Sequence, residues 1–324
     1  MPVRIYRSLA EVPADFGPSA LTVGNFDGVH AGHRRIMQRV RAVARERGLK
    51  AGVLTFDPHP TRVVAPSRSP RLMTTPERRC TLMEEAGIEQ VLILPFSSRV
   101  AHLSAEEFVR EILVDRLGVR AVLVGDNFRF GHKQAGNTVV LAELGRKYGF
   151  TTEILPAITV RGRVVSSSGI RALIETGQVA RAGRLLEHPY ALEGAVESGL
   201  GIGSKLTVPT LNLAASGELL PASGVYITRT SDLEDGRGWP SVTNIGYRPT
   251  FDGKRLTVET YLLEPLEGAT PRRIRVEFLR RVREERKFAT PEALREQILR
   301  DVGRALAYFR RLRRWSRHPV YGCR

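Results

Sequence analysis

Several features of secreted and membrane proteins are missing from this sequence. Of its 324 residues only two are cysteines, Cys80 and Cys323, which are too few for a disulfide framework or a cysteine-rich zinc site. No run of about 18 apolar residues predicts a membrane span. Residues 1–16 lack the apolar centre and the small-residue cleavage site of a secretion signal. We therefore expect a protein of the reducing cytoplasm that has no membrane partner.

Acidic residues are scarce relative to basic ones. The chain has 50 Lys and Arg against 34 Asp and Glu, a formal charge of +16, and residues 271–318 alone hold sixteen basic and six acidic side chains. Such an excess is typical of proteins that bind nucleic acid or phosphorylated molecules, and equally of arginine-rich surfaces that bind nothing. Aromatic residues are sparse in this segment and no nucleic-acid motif accompanies it, so we do not expect nucleic acid as the partner.

The first half of the chain alternates short apolar runs with amphipathic stretches. Nearly continuous runs of Val, Leu and Ile are typical of strands buried on both faces of a parallel sheet. The stretches between them repeat their apolar residues with the period of a helix. We predict a doubly wound, parallel-sheet α/β domain, with strands at 20–24, 51–56, 90–94, 121–124 and 151–155 and helices at 33–47, 104–116 and 138–148.

The pattern changes after about residue 187. Between 192 and 263, β-rich runs are interrupted by Gly, Pro, Asn and Ser, which predicts a small antiparallel β-barrel. Residues 290–314 predict a C-terminal α-helix capped by Thr290. We place the domain boundary at 186/187, giving domains of residues 1–186 and 187–324. The buried stripe of the final helix would comprise Leu294, Ile298, Val302, Leu306, Phe309 and Leu312.

The segment 24–33, GNFDGVHAGH, joins the first predicted strand to the first helix. Ligands of open α/β sheets bind at this edge of the strands, and a helix N-terminus favours the negative charge of phosphate. His30 and His33 lie one helical turn apart, so both imidazoles could donate hydrogen bonds to phosphate oxygens. They could also be surface histidines, or a weak metal pair that lacks a third ligand. The glycines that would let the backbone approach a phosphate are Gly24, Gly28 and Gly32.

This segment resembles the HxGH nucleotidyltransferases, and specifically the FAD synthetase domain of bacterial bifunctional riboflavin kinase/FAD synthetases. Motifs at 55–60, 124–131 and 166–171 agree with that family in order, although Ser168 stands where the family has Thr. The resemblance implies that FMN phosphate attacks the α-phosphorus of ATP, releasing FAD and pyrophosphate. It assigns catalysis to His30 and His33, and nucleotide binding to Gly24, Phe26, Asp27, Gly32, Ser167, Ser168 and Arg171.

Two of these motifs also admit other interpretations. The hydroxyls of 166–168 and the guanidinium of Arg171 suit a triphosphate tail, but serines before a helix are equally typical caps. By the resemblance, Asn127 and Phe128 would orient and stack the flavin ring of the substrate. Phe128 and Phe130 could instead be core residues.

In the second domain, residues 198–205 are rich in glycine but match neither a Walker A loop nor a dinucleotide fingerprint. The sequence 208–212, VPTLN, is more informative. Thr210 and Asn212 point the same way on an extended strand. Their oxygens could hold Mg²⁺ together with a γ-phosphate.

This part of the chain resembles riboflavin kinases through the P-T-x-N motif and later landmarks at 224–226, 244–251, 258–263 and 283–288. The resemblance makes Glu259 the general base for the ribityl hydroxyl, where the residue alone would suggest a polar barrel position. It places Gly203 and Lys205 at the nucleotide and Arg283 at the substrate. The stretch 203–208 departs from the family pattern by lacking an arginine and a glycine, which puts the kinase rate in doubt.

The two resemblances predict a bifunctional enzyme that converts riboflavin to FMN and then FMN to FAD. Its partners would be ATP, riboflavin, FMN, FAD and pyrophosphate, with Mg²⁺ accompanying ATP and no tightly bound prosthetic group. The oligomeric state stays open. Two alternatives remain: an adenylyltransferase with a degenerate flavin-binding barrel, or a regulatory factor that binds nucleic acid through the basic C-terminal helix.

Overall fold

The computed structural model describes residues 2–197, 210–214, 218–250 and 253–316, with the backbone alone at 247–250, 253–255 and 313–316. The chain divides into two compact units, Met1–Ser167 and Ser168–Arg324. The helices Ser167–Glu175 and Val179–Leu186 therefore group almost wholly with the second unit. This division by packing lies ahead of the domain boundary expected at 186/187.

The first unit is built on one parallel sheet. Its strand order is β1-β4-β3-β2-β5-β6, and every neighbouring pair is parallel, as predicted for a doubly wound domain. The short edge strand β1 and a small antiparallel hairpin, β7–β8, were not predicted. The strands are β1 (Arg4–Tyr6), β2 (Ser19–Val23), β3 (Lys50–Asp57), β4 (Gln90–Pro95), β5 (Val119–Gly125), β6 (Thr151–Leu155), β7 (Thr159–Val160) and β8 (Arg163–Val164).

Helices cover both faces of this sheet. Alternate residues of β3 belong to different apolar clusters, since Val53 packs in one and Leu54 in the other, as expected of a strand buried on both sides. The predicted capping box of Ser104 and Glu107 is present. The helices are α1 (Ala31–Arg47), α2 (Pro60–Val64), α3 (Pro76–Glu85), α4 (Ser98–His102), α5 (Ala105–Glu107, continuing as a wider helix over Phe108–Arg116) and α6 (Thr138–Tyr148).

The order of the strands reverses between β2 and β5. From β2 the chain moves outward through β3 and β4, whereas from β5 it moves the other way to β6. The carboxyl ends of two such strands form the crevice in which doubly wound sheets bind ligands. The segment 24–33 follows β2 and the segment 125–131 follows β5, so the topology brings both predicted motifs to one crevice.

The second unit is a closed antiparallel barrel of six strands, as predicted, in the order β10-β13-β12-β11-β14-β9. Closure comes from the pairing of β9 with β10. The strand β14 was not predicted, because its sequence belongs to the basic segment. The elements are α7 (Ser167–Glu175), α8 (Val179–Leu186), β9 (Tyr190–Glu197), β10 (Thr210–Leu213), β11 (Gly224–Asp232), β12 (Gly238–Thr250), β13 (Gly253–Leu262), β14 (Arg273–Arg283) and α9 (Pro291–Ser316).

The barrel interior contains a chain of hydroxyl groups beside its apolar residues. Thr228 contacts Ser241 at 2.8 Å and Thr243 at 2.7 Å, and Thr243 contacts Thr260 at 2.9 Å. All four side chains are completely buried. Because each hydroxyl has a partner, burial carries no penalty for an unmade hydrogen bond. Residues on the opposite side of the same strands therefore face outward.

The C-terminal helix α9 buries only part of the predicted apolar stripe: Ile298, Val302 and Phe309 are half-buried, and Phe309 packs against an apolar cluster of the barrel. Leu294, Leu306 and Leu312 are more than 40% exposed, so the apolar stripe was wrong for these positions. The buried residues are Gln297, Asp301 and Ala305, spaced four apart. Thr290 does cap the helix, accepting a hydrogen bond from the Ala293 N–H. None of the helices in the described ranges has the length and apolar character needed to cross a membrane.

Candidate active sites

The turn after β2 places two histidines at the beginning of α1. His30 is the N-cap, and its Nδ1 accepts a hydrogen bond from the His33 backbone N–H at 3.3 Å. The neutral ring therefore carries its proton on Nε2, which makes that atom a donor. The two imidazole rings stack with centroids 3.5 Å apart. The structure thus brings together the two residues predicted to be catalytic.

The backbone of this turn is held in conformations that non-glycine residues rarely adopt. Phe26 and Val29 have φ angles of 49° and 38°, which cost on the order of 1–3 kcal/mol each and occur most often at functional sites. The ring of Phe26 is buried and meets His33 edge-on at 5.0 Å. A Cβ at Gly32 would lie 3.2 Å from the ring of His30. Gly32 therefore gives the imidazole room against the helix.

Asp27 fixes the turn through hydrogen bonds to a segment distant in sequence. Its buried carboxylate accepts hydrogen bonds from the Met73 N–H at 2.9 Å, the Thr74 N–H at 3.1 Å and the Thr74 hydroxyl at 3.0 Å. The Thr74 hydroxyl oxygen in turn accepts from the Gly28 N–H at 3.1 Å. These bonds tie the turn to a segment more than forty residues away, so the carboxylate of Asp27 positions the backbone of the turn.

Arg79 is a buried cation beneath the same turn, and the sequence-based predictions missed it. Its Nη1 donates to the Asn25 carbonyl at 3.0 Å and to Thr55 Oγ1 and the Phe56 carbonyl at 3.3 Å. Only 3% of the residue is exposed. Burial lowers the pKa of the guanidinium, and the negative charges of Asp27 and Asp57 oppose that effect. Arg79 thus joins the turn after β2 to the end of β3.

The turn after β3 contributes a further histidine to this region. His59 caps α2, its Nδ1 accepting from the Thr61 N–H, and its Nε2 lies 3.0 Å from the side-chain amide of Asn25. The 55–60 motif therefore meets the 24–33 motif directly. Neighbouring parallel strands end at one edge of the sheet, which explains the contact.

The loop after β5 carries two phenylalanines that differ in burial. Phe130 is 7% exposed and belongs to the core, whereas Phe128 is half-buried and stacks on it with centroids 5.3 Å apart. Asn127 is exposed beside them. The core interpretation therefore holds for Phe130, while Phe128 and Asn127 keep surface available to a ligand.

The serine motif leads into α7. The Ser167 hydroxyl lies 3.5 Å from the Asp27 carbonyl oxygen, to which it donates. Ser168 is exposed and Arg171 half-buried in the first turns of α7. The division between the two units falls between Ser167 and Ser168, so only Ser167 belongs to the unit that carries the histidines.

Three polar side chains line up across the outer wall of the barrel. In strand register, Glu259 of β13 lies opposite Asn212 of β10 on one side and opposite Asn244 of β12 on the other. Directly opposed residues share a face and have Cβ atoms about 4.5–5.5 Å apart. The Thr257 hydroxyl donates to the Glu259 carboxylate at 3.1 Å. Asn244 and Thr257 were not predicted as site residues, since only strand register reveals them.

Hard oxygen ligands surround this row. Thr210 lies two residues before Asn212 and therefore on the same face of β10, and both are half-buried. Next to Asn244, the bare backbone of Gly246 leaves the space that the Glu285 carboxylate occupies. Hydroxyl, amide and carboxylate oxygens are the ligands that Mg²⁺ takes in proteins. The donor set therefore fits a magnesium–nucleotide site.

Arg283, predicted to bind substrate, contacts α9. Its Nε donates to the Asp301 carboxylate at 2.8 Å, and the side chains are 17% and 3% exposed. The Gln297 amide also donates to Asp301, at 2.9 Å, and Arg286 donates to Gln297. These contacts explain why the buried face of α9 is polar. Gly203 and Lys205, predicted to bind nucleotide, lie outside the described residues.

Two family models match the chain, one in each half. The model described as FAD synthetase matches residues 12–169, and the model described as Riboflavin kinase matches residues 186–309. The first match contains the histidine turn, and the second contains the row centred on Glu259. The matches therefore coincide with the two sites described above.

Whole-length relatives share both halves. The Bifunctional riboflavin kinase/FMN adenylyltransferase of Pseudomonas fluorescens is 37% identical over 306 residues, 94% of this chain and 97% of the relative. The protein of the same name from Escherichia coli (strain K12) is 34% identical over 307 residues, 95% of this chain and 97% of the relative. A solved structure titled a macrolide-efflux protein from Streptococcus pneumoniae has the same fold, with 25% identity, a TM-score of 0.80 and coverage of 93% of this chain and 97% of that one.

Proposed function

The chain belongs to the family of bifunctional riboflavin kinase/FMN adenylyltransferases, and we propose how its residues divide the two reactions. The C-terminal half phosphorylates riboflavin to FMN, and the N-terminal half adenylylates FMN to FAD. We keep the domain boundary at 186/187, which lies next to residue 186, where the match to the riboflavin kinase model begins. The observation that carries the assignment of roles is the stacked pair His30 and His33 at the end of β2.

In adenylyl transfer, a phosphate oxygen of FMN forms a bond to the α-phosphorus of ATP and the bond to the β-phosphate oxygen breaks, releasing pyrophosphate. In the transition state, negative charge increases on the non-bridging oxygens of the α-phosphate. The Nε2–H of His30, the imidazole of His33 and the N-terminus of α1 are donors in place before the reaction begins, which is the condition for electrostatic catalysis. Ser167, Ser168 and Arg171 bind the outer phosphates. No covalent intermediate with the protein is needed.

The buried residues that contact the turn act by positioning the two histidines. Asp27 and Arg79 fix the backbone on either side of Phe26, and Phe26 fixes the ring of His33. Gly24 and Gly32 leave room for the rings of Phe26 and His30, and their backbone contacts the nucleotide. A misplacement of about 1 Å can slow such a reaction about 10²-fold, so these residues are positioning residues. The flavin of FMN packs on Phe128 and is oriented by Asn127.

In riboflavin phosphorylation, the Glu259 carboxylate accepts the proton of the ribityl hydroxyl as that oxygen forms a bond to the γ-phosphorus of ATP. The bond between the γ-phosphorus and the β-phosphate oxygen breaks, and ADP leaves. The Thr257 hydroxyl holds this carboxylate in place. Thr210 and Asn212 hold Mg²⁺, which when bound neutralises charge on the nucleotide phosphates. Gly203 and Lys205 contact the nucleotide from the preceding segment, and Arg283 supports the substrate side through its bond to α9. Both reactions take place in the cytoplasm.

The test is an incubation of the whole chain with riboflavin, ATP and magnesium, followed by chromatographic separation of the flavins. FMN and then FAD are expected, together with pyrophosphate. FAD formed from FMN but no FMN from riboflavin would favour the degenerate-barrel alternative. Formation of neither, with tight salt-sensitive binding of RNA, would favour the nucleic-acid alternative.

A further inference from the structure

Between β14 and α9 lies a cavity of about 330 Å³ that contains none of the residues assigned to either reaction. Strand β14 contributes Arg280 and Arg281, and α9 contributes Arg304, Ala307, Tyr308 and Arg311. In strand register Arg280 lies opposite Ile227 of β11. Asn244, which lies opposite Glu259 in the candidate kinase site, belongs to β12. The cavity and the kinase row therefore lie on different strands of the barrel wall.

The charges in this cavity are poorly balanced. Among the residues that the structure describes, Arg280, Arg304 and Arg311 make no ion pair and no side-chain hydrogen bond. Arg281 donates to the Ser223 carbonyl and lies 3.8 Å from Glu284, whose side chain is 85% exposed. The Nε of Arg281 is buried and has no acceptor within the described part of the chain. The cavity is thus lined by three exposed arginines that have no carboxylate partner among the described residues, whereas the guanidinium of Arg281 packs against Gly177 and Ser223.

Some other arginines of the same unit are paired, whereas exposed ones such as Arg295 and Arg310 have no ion pair among the described residues. Arg229 contacts Glu277 at 2.7 Å and Arg275 contacts Glu193 at 2.6 Å. Placing like charges together is unfavourable unless an anion joins them. The packing of α9 does not require the cluster, because Asp301 and Ala305 already attach the helix to the barrel. A ligand that supplies negative charge would account for the cluster.

We propose that this cavity binds a small anion with two or more phosphate groups, of the inorganic pyrophosphate class. A guanidinium presents paired donors that match phosphate oxygens. Arg304 and Arg311 lie seven residues apart on one face of α9, and the small side chain of Ala307 leaves room between them. Burial raises the pKa of the Tyr308 phenol, against the opposing charge of Arg280, so its hydroxyl is a further donor. The volume is at the low end of small-molecule pockets, roughly 300–1,000 Å³, which suits a diphosphate and excludes a nucleic-acid duplex.

The test measures binding of labelled inorganic pyrophosphate to the full chain by equilibrium dialysis at fixed ionic strength. The variant R304Q/R311Q removes two charges from the cavity. The variant R295Q/R310Q removes two charges from exposed positions of α9 that do not line it. Pyrophosphate binding at the adenylyltransferase site should be the same in the unmodified protein and in both double variants, so it does not affect the comparison between them. We expect R304Q/R311Q to weaken one class of sites at least tenfold, R295Q/R310Q to change it less than twofold, and both reactions to continue.

Equal weakening by the two double variants would show diffuse attraction to a basic helix and would overturn the proposal. Unchanged binding in R304Q/R311Q would also overturn it. If that variant proves unfolded by circular dichroism, R280Q on β14 replaces it, with the same expectation. A loss of RNA binding in R304Q/R311Q with pyrophosphate binding intact would assign the cluster to nucleic acid and contradict the proposal.

Discussion

The two candidate sites are built in opposite ways. In the first unit the two histidines that we propose to be catalytic lie on one short segment, and residues distant in sequence hold that segment in place. In the second unit no segment carries the site. Asn212, Glu259 and Asn244 come from three strands and meet only because those strands pair in one register.

The difference predicts where each site is sensitive to mutation. The turn at 24–33 depends on buried contacts beneath it, such as those of Asp27 and Arg79, since its own backbone is strained. The barrel row depends on strand pairing, which is cooperative and distributed over many residues. Single substitutions at several buried positions should therefore slow adenylyl transfer. Phosphorylation of riboflavin should be slowed mainly by substitutions of Asn212, Glu259 or Asn244.

The first prediction concerns the histidine turn. His33→Ala removes a preorganised donor, so FAD formation from FMN should fall about 10²–10³-fold, while FMN formation from riboflavin stays unchanged. Both rates are measured by flavin chromatography. His102→Ala is the matched control, because His102 is exposed and stacks on His132 elsewhere in the same unit. An unaltered FAD rate in His33→Ala would remove the histidines from the mechanism.

The reciprocal change concerns the barrel row. Glu259→Gln keeps the shape of the side chain but removes the base, so phosphorylation of riboflavin should fall about 10²–10⁴-fold and adenylylation of supplied FMN should persist. Steady-state assays of each reaction decide this. The exposed residue Glu267 provides the control, Glu267→Gln. If Glu259→Gln phosphorylates riboflavin at the normal rate, the base is another group.

Arg79 tests whether the turn depends on what lies beneath it. Arg79→Met leaves three oxygen atoms without their common donor, and the resulting shift of the turn should lower the rate of adenylyl transfer about 10²-fold. Arg79→Lys should recover part of that loss. Phosphorylation of riboflavin by the same variants is the internal control. A comparable fall in both reactions would indicate general unfolding instead of a positioning role.

The last prediction concerns stability and the attachment of α9 to the barrel. Asp301→Ala breaks an ion pair that is largely buried, which should cost about 3–5 kcal/mol. Glu296→Ala breaks the exposed pair with Arg300 and should cost about 0–1 kcal/mol. Urea unfolding of both variants, followed by far-ultraviolet circular dichroism, gives the two values. Equal losses would mean that the polar face of α9 does not attach it.

Much of the first unit follows from local pattern. Its central strands, the capping box at Ser104 and the histidine turn are encoded by residues adjacent in sequence, so periodicity and motif spacing predict them. Arg79 is different, because it lies on a helix whose pattern indicates only a surface element. A buried arginine becomes predictable only when the carbonyl groups it must reach are placed in space.

The second unit was less predictable, for two physical reasons. The strand β14 has the sequence RIRVEFLRRVR, and its arginines concealed the inward alternation of Ile274, Val276 and Phe278. For α9, apolar periodicity selected a leucine face. The helix docks through Asp301 and Gln297, which bond to Arg283 and Arg286, and also through Ala305 and Phe309. The hydrophobic periodicity of a helix does not predict contacts that the helix makes through charged and amide side chains.

The most direct test of two independent sites is complementation between His33→Ala and Glu259→Gln. With riboflavin, ATP and magnesium, His33→Ala should stop at FMN and Glu259→Gln should leave riboflavin unchanged. An equimolar mixture of the two proteins should form FAD, because the FMN made by one is the substrate of the other. A mixture that forms no FAD, or a single variant that loses both reactions, would contradict the assignment of one reaction to each domain, 1–186 and 187–324.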